Sequence, residues 1–505
     1  MAAPAQKERA SNGHCGAGAG EPHVLLVPYP AQGHMLPLLD LAALLAARGG
    51  LAVTVAVTAG NAPLLAPLLA ACPSVGVAAL PFPSPPAPWL PPGCGENTKD
   101  LPRRLFRPFM ASLAALRAPL LAWCDAQARQ GRRVTAVVSD FFTGWTQPLA
   151  AELGATHVTF SPSCALHLAM SHSLWRHLPS RRRPDDADEP VTFPEIPGSP
   201  CFPWRQLSGL FRDYVPGDEV SEAIRQLFLW NLGSDCFVVN SFAALEAAYV
   251  ERPLPDLASK RVLAVGPLYD AVATSVDRGG KPAVAPASVA AWLDAFPDGS
   301  AVYVSFGTQH ALSPAQAACV ADALARSSAA FVWAARPGTA VPEGFEAATA
   351  PRGMVIRGWA PQVEILRHRA VGWFLTHCGW NSVLEAAAAG VAMLAWPMGA
   401  DQFTDARLLA EAGVAMPVAE GADAVPDAGR MASAIAAAVG KEGEPVRERA
   451  AALGKKAAAA VAEGGSSRRD LEELVQMLTE SVNWRPTSLW TSVDVHTNSR
   501  LYNEH

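Results

Sequence analysis

At 505 residues the chain exceeds what one ordinary hydrophobic core organises, so two domains of roughly 200–250 residues each are expected. Half of the residues are hydrophobic, and 40 Lys and Arg against 46 Asp and Glu leave a net charge of −6, which speaks against nucleic acid or an anionic membrane surface as a partner. Asp40, Arg48, Arg107 and Arg117 break the apolar runs before they reach membrane-span length, so no membrane span is expected.

Residues 1–21, rich in Gly and Ala, carry no apolar core of the secretory kind and are expected to be disordered. Gly16–Gly20 matches a dinucleotide fingerprint only superficially, because no strand precedes it. Order should begin with the apolar strand His23–Pro28, the turn Tyr29–His34 and a helix from about Leu36 to Ala47, closed by Gly49-Gly50. Strands follow at Leu51–Thr58 and Val134–Ser139, then the turn Asp140–Phe142, a helix around Thr146–Leu153 and the strand His157–Phe160. Cys236–Asn240 and Arg261–Val265 read as further strands. Gly, Pro, Ser and charge dominate 266–286, the expected linker.

A second alternating set begins with the strand Ala301–Phe306, running into Gly307-Thr308. A helix Pro314–Arg326 and strands Phe331–Ala335 and Met354–Arg357 come next, with helices near 427–440 and 444–462. Gly464–Ser467 reads as a loop whose Ser caps a last helix, Asp470–Glu480, and the tail 482–505 shows no periodicity and reads as a disordered extension. Such regular alternation implies an α/β fold: parallel, doubly wound sheets in two Rossmann-like domains, 22–265 and 287–481, facing across a cleft. Nine scattered cysteines without a CxxC pair read as reduced thiols, so a cytoplasmic protein is expected.

The most informative stretch is Trp359–Gln402. An apolar strand, Trp373–Thr376, runs into His377-Cys378-Gly379-Trp380-Asn381-Ser382, which opens a helix with Glu385 one turn in. The free N–H groups and partial positive charge of a helix N-terminus make an anion site there. Asn381 and Ser382 add neutral donors and His377 a donor able to carry charge; neither a P-loop Lys nor a carboxylate pair for a metal is present. Such a site suits a diphosphate held by hydrogen bonds. Glu385 can accept from two ribose hydroxyls, and Trp359 offers a face on which a base can stack. Asp401 and Gln402 follow the strand Ala392–Trp396 and can return acceptors to the crevice for sugar hydroxyls. Any one of these residues also reads as a cap or a structural aromatic; together they fit a nucleotide diphosphate joined to a sugar.

The stretch resembles the donor-binding box of plant family 1 UDP-sugar glycosyltransferases, over the family's length without a gap. Ala392 and Trp373 depart from the usual Pro and Gly, at positions that make no donor contact. The resemblance, covering roughly 22–480, implies the two-domain GT-B fold with an acceptor-binding first half and a UDP-sugar-binding second half. It implies Trp359 on uracil with Ala360 and Gln362 beside it, His377, Asn381 and Ser382 on the diphosphate, and Glu385 on the ribose. Trp380, Asp401 and Gln402 would hold the sugar, and Trp380 with Gln402 looks like the glucose-preferring form.

Glycosyl transfer to a hydroxyl also needs a base, at a strand end of the opposite domain. His34 follows the first strand, and its ordinary pKa suits general-base work. Asp140 ends a strand of the same sheet and can fix the imidazole. By residue chemistry alone both also read as helix-start and capping residues; the resemblance places them at the family's catalytic His and its partner Asp. Thr308 is a further candidate donor to the β-phosphate. The expected chemistry is inverting and needs neither cofactor nor metal. Asp186-Ala187-Asp188 forms a DxD triplet within a charge run and reads as a solvated loop. Acceptor contacts are expected from Phe141, Phe142 and Trp145, from the Pro-rich loop around Trp89, and from 162–215 with Trp175, Trp204 and Phe211. These suggest a flat phenolic or flavonoid acceptor; HVLLVPYPAQGHMLPLLDL and GADQF resemble flavonol and hydroxybenzoate glucosyltransferases. A monomer is expected. A UDP-xylose or UDP-rhamnose donor, or a non-catalytic UDP-sugar-binding protein, is the alternative; a nicotinamide-dependent oxidoreductase fails on the missing GxGxxG.

Overall fold

The computed structural model describes residues 21–82, 89–268 and 280–481. The Gly16–Gly20 run, the expected C-terminal extension and most of the expected linker lie outside them. In chain order the first half contributes β1 (His23–Val27), β2 (Ala52–Thr58), β3 (Gly76–Leu80), β4 (Val134–Asp140) and β5 (Thr156–Ser161). A short antiparallel pair, β6 (Pro190–Thr192) and β7 (Cys201–Pro203), precedes β8 (Cys236–Val239) and β9 (Val262–Ala264). The second half contributes β10 (Ala301–Ser305), β11 (Ala330–Ala335), β12 (Gly353–Arg357), β13 (Val371–Thr376), β14 (Ala392–Ala395) and β15 (Ala415–Pro417).

Both large sheets are parallel throughout, in the orders β3-β2-β1-β4-β5-β8-β9 and β12-β11-β10-β13-β14-β15. Their central strands, such as HVLLV in β1 and VGWFLT in β13, are buried along their whole length, because helices cover both faces of a parallel sheet. In each sheet the strand order reverses at one place, between β1 and β4 and between β10 and β13. Outside the carboxyl ends of the strands at such a reversal lies a crevice suited to ligands. The turns carrying His34 and Asp140 sit at the first reversal; those carrying Thr308 and His377–Ser382 sit at the second.

The helix after β1 runs Gln32–Arg48, starting earlier than the Leu36 expected, so His34 stands in its first turn. Pro37 inside that helix has no N–H to donate to Gly33 O, four residues back. That carbonyl is therefore left for another donor. The last helix also starts earlier, at Ser466, with Gly465 rather than a serine side chain at its cap. A Cβ at Gly465 would come within 2.2 Å of Ala459 O, so the chain can turn there only without one. This helix packs on the first sheet, not the second. Leu471, Leu474 and Leu478 join Val24, Leu26 and Val238 in one buried cluster, and Asp470 Oδ2 accepts from Ala264 N at 2.7 Å. The expected domain 287–481 thus lends its final helix to the first core. Periodicity could not reveal this, because an amphipathic helix carries no mark of which sheet it covers.

One helical run, Arg103–Arg129, is long and apolar enough by composition to cross a membrane. It is broken into successive 3₁₀ and α segments, and Phe109, Met110, Leu113 and Leu120 on it are buried in the first domain's core. Leu474→Ala, at a fully buried position of the last helix, is expected to cost about 2–5 kcal/mol. Hydrogen exchange should quicken in β8 and β9 while β10–β14 keep their protection; unchanged exchange in β8 and β9 would contradict this docking.

Candidate active site

His34 Nδ1 lies 2.9 Å from Asp140 Oδ2, and the other carboxylate oxygen accepts from Phe142 N at 2.8 Å. Asp140 is fully buried as the last residue of β4, while the His34 side chain is 18% exposed and lines the cleft. With Nδ1–H donating to the carboxylate, Nε2 is left as the nitrogen open to a ligand. Aromatic rings fix the imidazole from three sides. Phe142 lies 4.7 Å from it, Tyr29 meets it edge-on at 5.2 Å, and Phe141 lies nearly parallel to it at 5.9 Å. Tyr29 is buried, which with the charge of Asp140 pushes its phenol well above the usual range and keeps it neutral.

On the facing wall, β13 passes into its helix through Cys378, a non-glycine residue in the left-handed region at φ 64°. Its N–H donates to Thr376 Oγ1 at 3.1 Å. This tight turn aims the N-terminus of the helix Trp380–Ala389 into the cleft. His377 occupies a slot that two glycines leave open: a Cβ at Gly307 would meet its ring at 2.7 Å, and one at Gly379 would meet Nε2 at 2.5 Å. Burial pushes the His377 pKa down to about 3, with His310 adding to the effect, so the ring is neutral at physiological pH. The charged donor that the sequence allows for is corrected to a neutral one. Its Nδ1 is buried without a partner among the described residues.

Gln362 ties together one end of the cleft. Its Nε2 donates to Glu385 Oε2 at 2.7 Å and Ser382 Oγ at 3.1 Å, and its Oε1 accepts from Tyr303 OH at 3.2 Å. Trp359 lines the cleft beside the buried Ala360, with Gly280 packed so closely that a Cβ there would come within 3.0 Å of the indole. Thr308 lines the same cavity at the end of β10.

Several candidate side chains also tie the two domains together. Asn381 Nδ2 donates to Gly33 O at 2.9 Å, the carbonyl that Pro37 leaves free. Trp380 is 3% exposed and its Nε1 donates to Asn240 O at 2.6 Å, so its polar group serves the domain contact and not a sugar. Asp401 Oδ2 accepts from Ser163 Oγ at 2.7 Å. Gln402 Oε1 accepts from Met398 N and Gly399 N, which leaves its amide N–H groups, not its oxygen, for a ligand. Ser163 and Asn240, and His167, which meets Thr404 at 3.1 Å, were not legible in the sequence. Ser163 and Asn240 follow strands and His167 stands in the first turn of a helix, as many residues of their types do.

One cavity of about 640 Å³ brings His34 together with Thr308, Trp359, Ala360, Gln362, His377, Trp380, Asn381, Ser382, Glu385, Asp401 and Gln402. The acceptor candidates divide. Phe142 is half-buried beside His34, but Phe141 and Trp145 are 1% exposed and belong to the core. Trp145 lines a small void of about 20 Å³ with Val27, Met35 and Ala56. Trp175 stacks on Phe228 at 5.4 Å and is buried with Phe211. These large rings fill the space between sheet and helices, the commoner use of an aromatic residue. Asp186 and Asp188 pair with Arg183 and Arg205.

The family model described as UDP-glucoronosyl and UDP-glucosyl transferase matches residues 280–433, and that for the glycosyltransferase N-terminal domain matches 21–270. UDP-glycosyltransferase 89B2 of Stevia rebaudiana is 46% identical over 408 residues, 79% of this chain and 85% of its own. The chain belongs to the plant family 1 UDP-glycosyltransferases. The flavonol 3-O-glucosyltransferase UGT89B1 of Arabidopsis thaliana is 44% identical to this UDP-glycosyltransferase over 409 residues, 79% of it and 84% of the relative. The crystal structure of Arabidopsis thaliana UGT89C1 with UDP-L-rhamnose superposes with a TM-score of 0.73 at 35% identity, covering 91% of this chain and 99% of that one. The fold is GT-B, and the enzyme transfers a glycosyl group from a UDP-sugar.

Gly379 has an ordinary φ of −63°, so Gly379→Ala tests the His377 slot without backbone strain. It is expected to weaken UDP binding by about tenfold or more, close to 1.4 kcal/mol per decade, measured by calorimetry on a protein of unchanged secondary structure. Unaltered UDP affinity would mean that the ring's position does not matter to the diphosphate.

Proposed function

We propose that this UDP-glycosyltransferase transfers glucose, with inversion, to a hydroxyl of a flavonoid or other small phenolic acceptor. The observation that carries the reading is the His34–Asp140 pair facing the donor box across a single cavity. An acceptor hydroxyl donates to His34 Nε2 and loses its proton to it as its oxygen attacks the anomeric carbon. The proton stays on the imidazole, whose new charge is met by Asp140 through Nδ1–H; general-base help of this kind is worth roughly 10²–10⁴ in rate. The bond to UDP breaks on the opposite face through an oxocarbenium-like transition state, in parallel with inverting hydrolases.

Charge developing on the leaving diphosphate is met by the N-terminus of the helix Trp380–Ala389, by Ser382, by the remaining amide N–H of Asn381, by neutral His377 and by Thr308. No metal has a part in this reading, because neutral donors already match the diphosphate. Glu385, oriented by Gln362, takes the ribose, Trp359 the base, and Asp401 with the Gln402 amide the sugar.

Support for a flavonoid acceptor comes from the flavonol 3-O-glucosyltransferase at 44% identity and from UGT89C1, whose structure with quercetin is similar to this chain. Gln402, the last residue of the box in the form associated with glucose, favours that sugar. Rhamnose is the second reading, because the flavonol 7-O-rhamnosyltransferase of Arabidopsis thaliana is 35% identical and UGT89C1 binds UDP-L-rhamnose. The eight described cysteines are free thiols, in keeping with a cytoplasmic enzyme, and we read it as a monomer.

With a flavonol acceptor, His34→Ala is expected to lower kcat by about 10²–10⁴ while UDP affinity stays within roughly twofold. A variant that retained full turnover would remove His34 from the mechanism. Equimolar UDP-glucose and UDP-rhamnose, supplied with one flavonol and resolved by mass spectrometry, should give mainly the glucoside, with a β anomeric linkage by NMR. Predominant rhamnoside would decide for the second donor.

A further inference from the structure

Away from the cleft, three segments of the first domain bring together an imidazole and two carboxylates. His177 is the last residue of the helix Ala165–His177, Glu195 lies in the loop between β6 and β7, and Asp256 sits in the single 3₁₀ turn Pro255–Leu257. One ligand atom from each lies within 4.8 Å of the other two. His177 Nε2 is 3.9 Å from Asp256 Oδ1, outside hydrogen-bond reach. Asp256 is 1% exposed, and its Oδ2 has no hydrogen-bond partner among the described residues.

A buried carboxylate oxygen without a partner costs on the order of 1–3 kcal/mol, and more when charged. Here the surroundings add negative potential. Glu195 brings a second carboxylate, and the helix Ala165–His177 points its carbonyl end, with its partial negative charge, at the same place. The guanidinium of Arg176, which donates to Pro255 O at 2.5 Å, offsets part of that potential without reaching the carboxylate oxygens in a hydrogen bond. One nitrogen and two hard oxygens around a point of negative potential form a ligand set for a divalent transition-metal ion.

We propose that His177, Glu195 and Asp256 form a structural divalent-cation site of the zinc type, with the fourth position left to solvent. Bonds of about 2.0–2.2 Å would draw the three ligand atoms to roughly 3.0–3.5 Å of one another. That contraction is small, and the heads that must move are the exposed ones: His177 and Glu195 lie at the surface, while Asp256 is fixed in the interior. The ion joins the end of a helix, a hairpin loop and a 3₁₀ turn that are far apart in the chain. The same helix begins beside the cleft, where His167 meets Thr404 of the other domain. The site thereby stiffens the support of that contact without entering the glycosyl transfer.

The test uses the full-length protein, stripped with EDTA and dialysed, then titrated with Zn²⁺ and with Co²⁺. The expected result is uptake of one equivalent of Co²⁺ with d–d absorption and no thiolate charge-transfer band, and a Tm that rises with Zn²⁺. His177→Ala and Glu195→Ala, both at exposed positions, should each weaken Zn²⁺ binding by more than about tenfold and abolish the rise in Tm. Absence of stoichiometric uptake, a thiolate band, or equal uptake by wild type and both variants would overturn the site. So would a loss of stability in His177→Ala that is the same with and without Zn²⁺, since that outcome assigns the pairing to an imidazolium.

Discussion

The bond from Asn381 Nδ2 to Gly33 O joins the first turn of the donor-side helix to the first turn of the helix that carries His34. It exists because Pro37 cannot donate to that carbonyl, so a defect inside one helix becomes a socket for the other domain. His34 is one residue from the socket, and Ser382 is one residue from the plug. Register between the two half-sites is therefore set at the point where chemistry needs it. Trp380 to Asn240 and Ser163 to Asp401 hold the same seam from its flanks. Bonds of this kind are individually worth about 0.5–1.5 kcal/mol, enough together to orient the domains and weak enough to release them.

Two histidines face each other's neighbourhoods from differently built surroundings. His34 has a carboxylate on Nδ1 and part of its ring in the cleft. His377 is enclosed between two glycines, has no carboxylate partner among the described residues, and burial makes its protonated form costly. The same side chain thus stands partly open beside a carboxylate on one wall and enclosed and neutral on the other. The difference lies in desolvation and one hydrogen bond, not in residue type.

Many donor-box residues serve twice. Gln362 orients Glu385 and Ser382 while lining the cleft itself, and Gln402 uses its oxygen to hold its own loop and keeps only its N–H groups for a ligand. Such sharing limits what each side chain offers to a sugar. It also makes the pocket's shape depend on the domains being in contact, because Asn381, Trp380 and Asp401 are placed by partners in the other half.

The alternation of short apolar runs with helices, and the strand–turn–helix at His377–Ser382, were legible from the residues because local periodicity and turn chemistry write them directly. The edge strands β3 and β15 escaped, being short and partly exposed, with no continuous apolar run to mark them. Phe141, Trp145 and Trp175 were expected together to supply acceptor contacts, though each singly reads as core; all three are buried, and an aromatic side chain looks the same in sequence whichever way its strand or helix turns it. Only the tertiary structure decided that the last helix returns to the first sheet, that Gly33 O is free for Asn381, and that His377 stays uncharged. Each of those depends on which distant surface is packed against a residue, and burial, unlike periodicity, is not a local property of the chain.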